Sequence, residues 1–337
     1  MRKLSVLVVI TVLSGMSTSV IASANEKIRI GWVFAMANAP VVIAKEKGFF
    51  KDEGLEAEII SFTSGPIVHQ ALAAGELDMA YIGSPPVYHW FSRGLESRIL
   101  AKVNYGQAAV IVRKDSGINA MSDLRGKKMA GVRKGSGMDV LLRGYVLEAA
   151  HLTPDKDVQI VPMPSGNMGP SVESSVVDGA FIWEPFTSQF ELRGDSKVIF
   201  NMNEAVPNYP WYVIMAMPDA LKNKRSAVKK VLKAHKRAVE YLNSSPDAGN
   251  DIIAKTFKLE NVKNDKTGKV IPGSEIVAQA RKRLGWEWDL TQKDMDFIQN
   301  LMNYSLSLGY IKKPLTVNNI VDRTITEEIE KEAVAQR

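Results

Sequence analysis

The stretch Leu77 to Pro86, LDMAYIGSPP, decides how the rest of the chain is read. Its first half is an apolar run with the β-forming residues Tyr81 and Ile82, and it stops at Gly-Ser-Pro-Pro. That pattern predicts a buried strand that ends abruptly in a turn and then a helix. It returns one hundred residues later as Val177 to Phe186, VDGAFIWEPF. Asp78 matches Asp178, Ala80 matches Ala180, Ile82 matches Ile182 and Pro85 matches Pro185, whereas Gly83-Ser84 becomes Trp183-Glu184. Two strands of one design that deliver different loops predict two similar lobes. In α/β sheets their shared site lies beyond the carboxyl ends of the strands.

Outward from the first copy, Ile28 to Val33 and Leu55 to Ser61 read as strands, with an amphipathic segment from Val41 to Phe50 between them. Thr63-Ser64-Gly65-Pro66 supplies a turn and a helix start with proline in its first turn, a favoured position. The order β-α-β-α-β-α predicts a mainly parallel sheet covered on both faces. A strand-like run at Ala108 to Val112 leads into a polar break at Arg113 to Gly117, after which the pattern restarts. Lys127 to Val132 is the next strand, Lys134-Gly135-Ser136-Gly137 a loop, Met138 to Ala149 a helix and Val158 to Val161 a strand. A short helix near Met168 to Val176 precedes the second copy, and Trp211 to Met217 reads as a second crossing back to the first lobe. Two crossings make a hinge with a defined axis. Beyond Pro218 the pattern is helical, and Thr291 with Asp294 three residues on reads as a helix N-cap. The expected organisation is a leader over 1–24, lobe one over 25–113, lobe two over 114–208, and a return to lobe one with C-terminal helices over 209–337.

The bulk numbers suit this. A chain of 337 residues, 45% hydrophobic and 24% charged, is long enough for two cored domains. Arg2 and Lys3, an apolar run from Leu4 to Leu13 and the A-x-A of Ala22-Ser23-Ala24 have the form of a secretory leader, too short to anchor in a bilayer. Its removal takes two bases and no acid, lowering the net charge from +6 to +4. With no cysteine there is neither a disulfide nor a lipid-attachment thiol, so a free exported protein, periplasmic in a bacterium with two membranes, is expected. The basic pI of about 9.2 comes from lysines scattered over helix faces such as Lys222 to Lys236, without aromatic interleaving, which argues against nucleic acid.

Three strand-to-helix junctions rich in small residues could hold a ligand: Ser64-Gly65-Pro66, Gly83-Ser84-Pro85 and Ser136-Gly137-Met138. Unpaired backbone N–H groups at helix starts, with serine hydroxyls beside them, favour an anion. The alternative at any one junction is a serine that caps its own helix. Trp183 could close over an apolar or cationic group and Glu184 could accept from an ammonium, or the two could pack and pair locally. Trp32, Phe34, Tyr105, Trp211 and Tyr212 sit at expected strand ends, and Asn208 lies at the mouth of the second crossing. Catalytic patterns are weak: His69, His89, His151 and His235 have no metal-ligand spacing, no G-x-S-x-G occurs, and Gly135-Ser136-Gly137 lacks the Lys-Ser or Lys-Thr of a nucleotide loop. Neither a metal nor a cofactor is expected.

KGFFKDEGL at Lys47 to Leu55, ALAAGELDMAYIGSPP at Ala71 to Pro86, DLRGKKMAGVRKGSGMDVLL at Asp123 to Leu142 and VDGAFIWEPF together resemble the nitrate, sulfonate and taurine class of ABC-transporter substrate-binding proteins. The resemblance covers roughly Lys27 to Leu242 and implies a type II periplasmic binding fold whose two lobes close on a small molecule. It implies delivery to a membrane permease with its ATPase, and a ligand against Ser64-Gly65, Gly83-Ser84-Pro85, Ser136-Gly137-Met138 and Trp183-Glu184. A monomeric binder of a small organic anion, a sulfonate first, is the expectation. The rivals are an enzyme on the same fold, acting on a small anionic or pyrimidine-like compound, and a recognition module for a sensor.

Overall fold

The computed structural model describes residues 25–335, and the leader expected over 1–24 lies outside them. The first sheet is built from β1 (Glu26–Val33), β2 (Leu55–Phe62), β3 (Met79–Gly83) and β4 (Arg98–Lys102). The second contains β5 (Ala108–Arg113), β6 (Lys128–Gly131), β7 (Gln159–Pro162), β8 (Gly179–Trp183) and β9 (Ser196–Asn201), and β10 (Tyr212–Ala216) returns to the first. The strand orders are β2-β1-β3-β10-β4 and β7-β6-β8-β5-β9. In each sheet the first three strands of the lobe pair in parallel, and the fourth neighbour is an antiparallel strand reached by crossing from the other lobe. The two sheets therefore repeat one another, as LDMAYIGSPP and VDGAFIWEPF predict.

One expectation is corrected. The run Ala108 to Val112, assigned to the end of the first lobe, pairs with β8 and β9 in the second sheet, so by sheet membership the boundary expected after Arg113 lies before Ala108. The polar break that marks the restart is the turn after this strand, not the crossing.

The residues on β3 are all buried, and on β8 only Trp183 is partly open, because helices cover both faces of each sheet. α1 (Ala39–Glu46), α2 (Gly65–Ala73) and α3 (Ser84–Phe91) serve the first lobe; α4 (Gly137–Leu141), α5 (Ser165–Glu173) and α6 (Phe186–Arg193) serve the second. The repeat extends to its acids. Asp78 accepts the backbone N–H of Arg29 on β1 at 2.8 Å, and Asp178 accepts that of Lys128 on β6 at 2.9 Å, each bracing the first strand of its lobe.

The C-terminal third is helical: α7 (Arg225–Ser244), α8 (Pro246–Thr256), α9 (Gly273–Ala280), α10 (Gln292–Ser307) and α11 (Thr324–Ala335). Thr291 caps α10 in a reciprocal box with Asp294, as its spacing predicts. Asp294 also receives the buried ammonium of Lys102 at 2.9 Å, tying α10 to the end of β4 just before the chain crosses. The lysines of α7 are taken up by carboxylates: Lys230 by Glu26, Lys229 by Glu328 and Glu332, Lys236 by Glu330. Local pairing thus absorbs much of the basic character of that helix. Among the described residues no helix is long and apolar enough to cross a membrane.

Candidate functional site

Six residues from both lobes and the second crossing meet at one point. A Cβ placed on Gly137 would stand 3.1 Å from Pro85 Cγ, and one on Gly65 would stand 3.0 Å from Pro86 Cγ. One on Gly83 would lie 4.0 Å from the indole nitrogen of Trp211. Gly65, Gly83, Pro85, Pro86, Gly137 and Trp211 therefore form one cluster, in which Gly137 of α4 in the second lobe lies against the Pro85 ring of α3 in the first. The close approach at Gly65 and Gly137, rather than φ, favours glycine there, since a Cβ would have to displace a proline ring by a few tenths of an ångström.

The donors of the cluster differ from the sequence expectation at the first copy. The N–H of Ser84 is spent on the carbonyl of Trp211 at 3.1 Å, and Pro85 and Pro86 have no N–H to give. What the start of α3 offers is the Ser84 hydroxyl, fully buried and without a partner among the described residues. Beside it is the Trp211 indole N–H, which no described group accepts. Backbone donors remain at the other two junctions, where the amides of Gly65, Ile67, Gly137 and Met138 find no acceptor among the described residues. Ser64 stands at the N-cap of α2 with its side chain unused for capping, whereas Ser136 Oγ accepts the Asp139 N–H and is a true cap. Met138 is buried at the start of α4.

The second copy is occupied from within. Glu184 is fully buried; its Oε1 takes Arg283 Nε at 2.6 Å and its Oε2 accepts the N–H of Ser188 at 3.1 Å. Arg283 also reaches Ser188 Oγ at 3.1 Å and the carboxylate of Glu191. Burial pushes the Glu184 carboxyl up from its ordinary value, with Arg283 and Ser188 opposing. The carboxylate sits at the start of α6, where the helix dipole favours a negative charge. Trp183 packs edge-on to Phe186 at 6.2 Å, and the Thr187 hydroxyl in the first turn of α6 is buried and has no partner among the described residues.

The crossings are pinned together next to the cluster. Asn104, fully buried, accepts the Tyr212 N–H on Oδ1 at 2.8 Å, and its carbonyl accepts the Trp211 N–H at 3.2 Å. The hydroxyl of Tyr209 accepts the Ala108 N–H at 3.1 Å. A third strand joins them: Leu284-Gly285 pairs with Tyr105-Gly106. Gly106 has φ +70°, and a Cβ there would stand 1.9 Å from the Arg283 carbonyl oxygen. Asn208 is exposed with φ +59°, its N–H on Asn203 Oδ1, in a turn at the outer edge of the second crossing.

Three residues around this centre escape a sequence reading. Asp139 is buried and gathers the Gly135 N–H, the Arg143 guanidinium and the hydroxyl of Tyr310, linking the Ser136 loop to the C-terminal segment. The Ser136-x-x-Asp139 spacing signals its capping role, but nothing local points to Tyr310 or to Arg283. On the first lobe, half-exposed Phe34 stacks obliquely on Trp32 at 5.4 Å and on Phe257 at 4.8 Å, an aromatic group at the end of β1. Three histidines are core residues: burial holds His69 down to about 3 and His89 and His235 to about 4.

Comparison with known proteins supplies the class. The model of the NMT1-like family matches residues 22–257. The chain belongs to the NMT1-like family. This NMT1-like chain is 28% identical over 315 residues to a Bacillus subtilis protein described as an aliphatic sulfonates-binding protein, covering 90% of this chain and 88% of that one. Among solved structures it resembles the periplasmic aliphatic sulphonate binding protein SsuA of Escherichia coli, with TM-score 0.74 and 19% identity over 88% of this chain and 97% of that one. It also resembles the periplasmic nitrate-binding protein NrtA of Synechocystis PCC 6803, with TM-score 0.73 and 19% identity over 91% and 88%. The fold is that of a periplasmic binding protein with a helical C-terminal part.

Proposed function

We propose that this NMT1-like protein is the solute-binding component of an ABC importer, working outside the cytoplasmic membrane. It captures a small organic anion, a sulfonate first, between its lobes and hands it to a membrane permease with its ATPase. The observation that carries the reading is the cluster itself. Uncommitted donors from both lobes and from a crossing strand, namely the Ser84 hydroxyl, the Trp211 indole N–H and the amides of Gly65, Gly137 and Met138, lie around one interlobe contact. Neutral donors and helix starts suit an oxyanion, and closure buries the rest of the molecule. The names of the relatives support an anion of the sulfonate or nitrate kind. Binding without turnover is part of the proposal.

The test is a thermal-shift screen of the mature chain against MOPS, hexanesulfonate, taurine, nitrate, a sulfate ester and a pyrimidine, followed by calorimetry. The expected result is a raised melting temperature with an alkane- or arylsulfonate and none with the pyrimidine. Stabilisation by the pyrimidine alone, or consumption of whichever compound binds, overturns the reading.

A further inference from the structure

We infer that Arg283 is a positioning residue that sets the angle between the lobes from outside the ligand site, by clasping the second lobe while its own backbone lies on the hinge. Its guanidinium holds the opening turn of α6 through Glu184 and Ser188 and holds Glu191 one turn further on. Its carbonyl accepts the N–H of Gln107, the last residue before β5, and the next two residues add the third strand to the hinge. Only three positions on, Trp286 is fixed to the first lobe: its indole N–H donates to the Ala37 carbonyl at 3.0 Å, and its own carbonyl accepts from Asn243 of α7. The span Arg283 to Trp286 thus has one end on each lobe and its middle on the axis between them.

Closure in a two-lobed protein turns one lobe about the crossing strands. Here such a turn cannot leave Arg283 behind. The guanidinium is 8% exposed and the Glu184 side chain 0%, so separation would strand two charges in the interior. Gly106 adds a steric limit, since the Arg283 carbonyl fills the place of any side chain there. α6 and the clasp therefore move as one body, and the span to Trp286 limits how far the lobes part. Glu184, the residue that replaces Ser84 in the second copy, serves the hinge through this clasp. The inference concerns the ligand-free protein and stands apart from the identity of the anion.

The chain has no cysteine, so Lys51→Cys on the first lobe and Lys156→Cys on the second, both exposed, accept spin labels with no competing thiol. Interlobe distances are then read by pulsed electron resonance on the mature protein without ligand. The labelled parent is expected to give one narrow distribution. Arg283→Gln and Glu184→Gln each widen it and lengthen its mean, the double variant is no wider than either single, and Arg283→Lys recovers part of the narrowing. Each variant is accepted only with a cooperative melt. An unchanged distribution in Arg283→Gln, or additive widening in the double variant, overturns the inference. Should Arg283→Gln not fold, Glu191→Gln removes only the outer arm and must shift the distribution in the same direction to a smaller extent; no shift overturns it equally. Because no anion is added, failure here leaves the proposed capture of an anion standing, and failure of the anion screen leaves this measurement valid.

Discussion

The two copies of the strand-to-helix motif differ at one step, and the difference divides their work. In the second copy, Glu184 places a carboxylate at the start of α6 and Arg283 neutralises it, so the position is filled and paired within the protein. In the first, the matching residue is Ser84, buried, uncharged and without a partner, beside an indole donor. One copy carries its own anion; the other carries an uncharged hydroxyl at the equivalent position. A repeat that is symmetric in backbone becomes asymmetric in charge, with a paired acid at one support and a neutral donor at the other.

The largest test of that contrast removes the internal anion. Glu184→Ala leaves Arg283 buried beside an empty place and is expected to lower stability by about 3 to 5 kcal/mol, as breaking one side of a buried pair does, measured by denaturant unfolding. A loss under about 1 kcal/mol would mean the pair is hydrated and the second copy is not a closed support.

Acid separates the copies next. His69 on α2 and His89 on α3 flank the first copy, and His235 packs on Tyr81 of β3 at 5.4 Å. Their folded values of about 3 to 4 lie below the unfolded value of 6.5, so the unfolded chain takes up protons first. Stability is expected to fall as pH drops from about 6.5 towards about 4, by up to about 1.4 kcal/mol per pH unit for each histidine. Hydrogen exchange should show α2 and α3 loosening before α6. Equal loosening of all three helices would place the sensitivity elsewhere.

Two serines then sharpen the comparison. Ser84→Ala is expected to weaken binding of a responding sulfonate such as MOPS by about 1 to 3 kcal/mol while leaving stability nearly unchanged, since the hydroxyl has no protein partner to lose. Ser136→Ala, which removes a cap, is expected to lower stability by about 1 kcal/mol with a smaller effect on affinity. Calorimetry and melting on the same two variants decide the matter, and the reverse assignment of effects would remove Ser84 from the site.

Much of this was legible before the structure. Period-two and helical spacing, punctuated by Gly and Pro, identify the strands and the helix starts, and the repeated motif reveals paired lobes because each copy meets the same packing demand. Composition assigns the Ala108 run to the wrong sheet because an antiparallel crossing strand looks like the end of the lobe it leaves. The backbone donors expected at Gly83-Ser84-Pro85 failed on chemistry that only the fold displays: two prolines supply none, and the Trp211 carbonyl consumes the third.

The sequence by itself determined the two-lobed α/β class, the strand-to-helix junctions rich in small residues and the absence of cysteine, because these follow from local periodicity and composition. Only the tertiary structure decided which donors are free, that Glu184 belongs to Arg283 rather than to a ligand, and that a third strand lies on the hinge. Those outcomes depend on which groups meet across about one hundred residues of chain, and pairing in a buried interior is set by the approach of whole lobes rather than by neighbours in sequence.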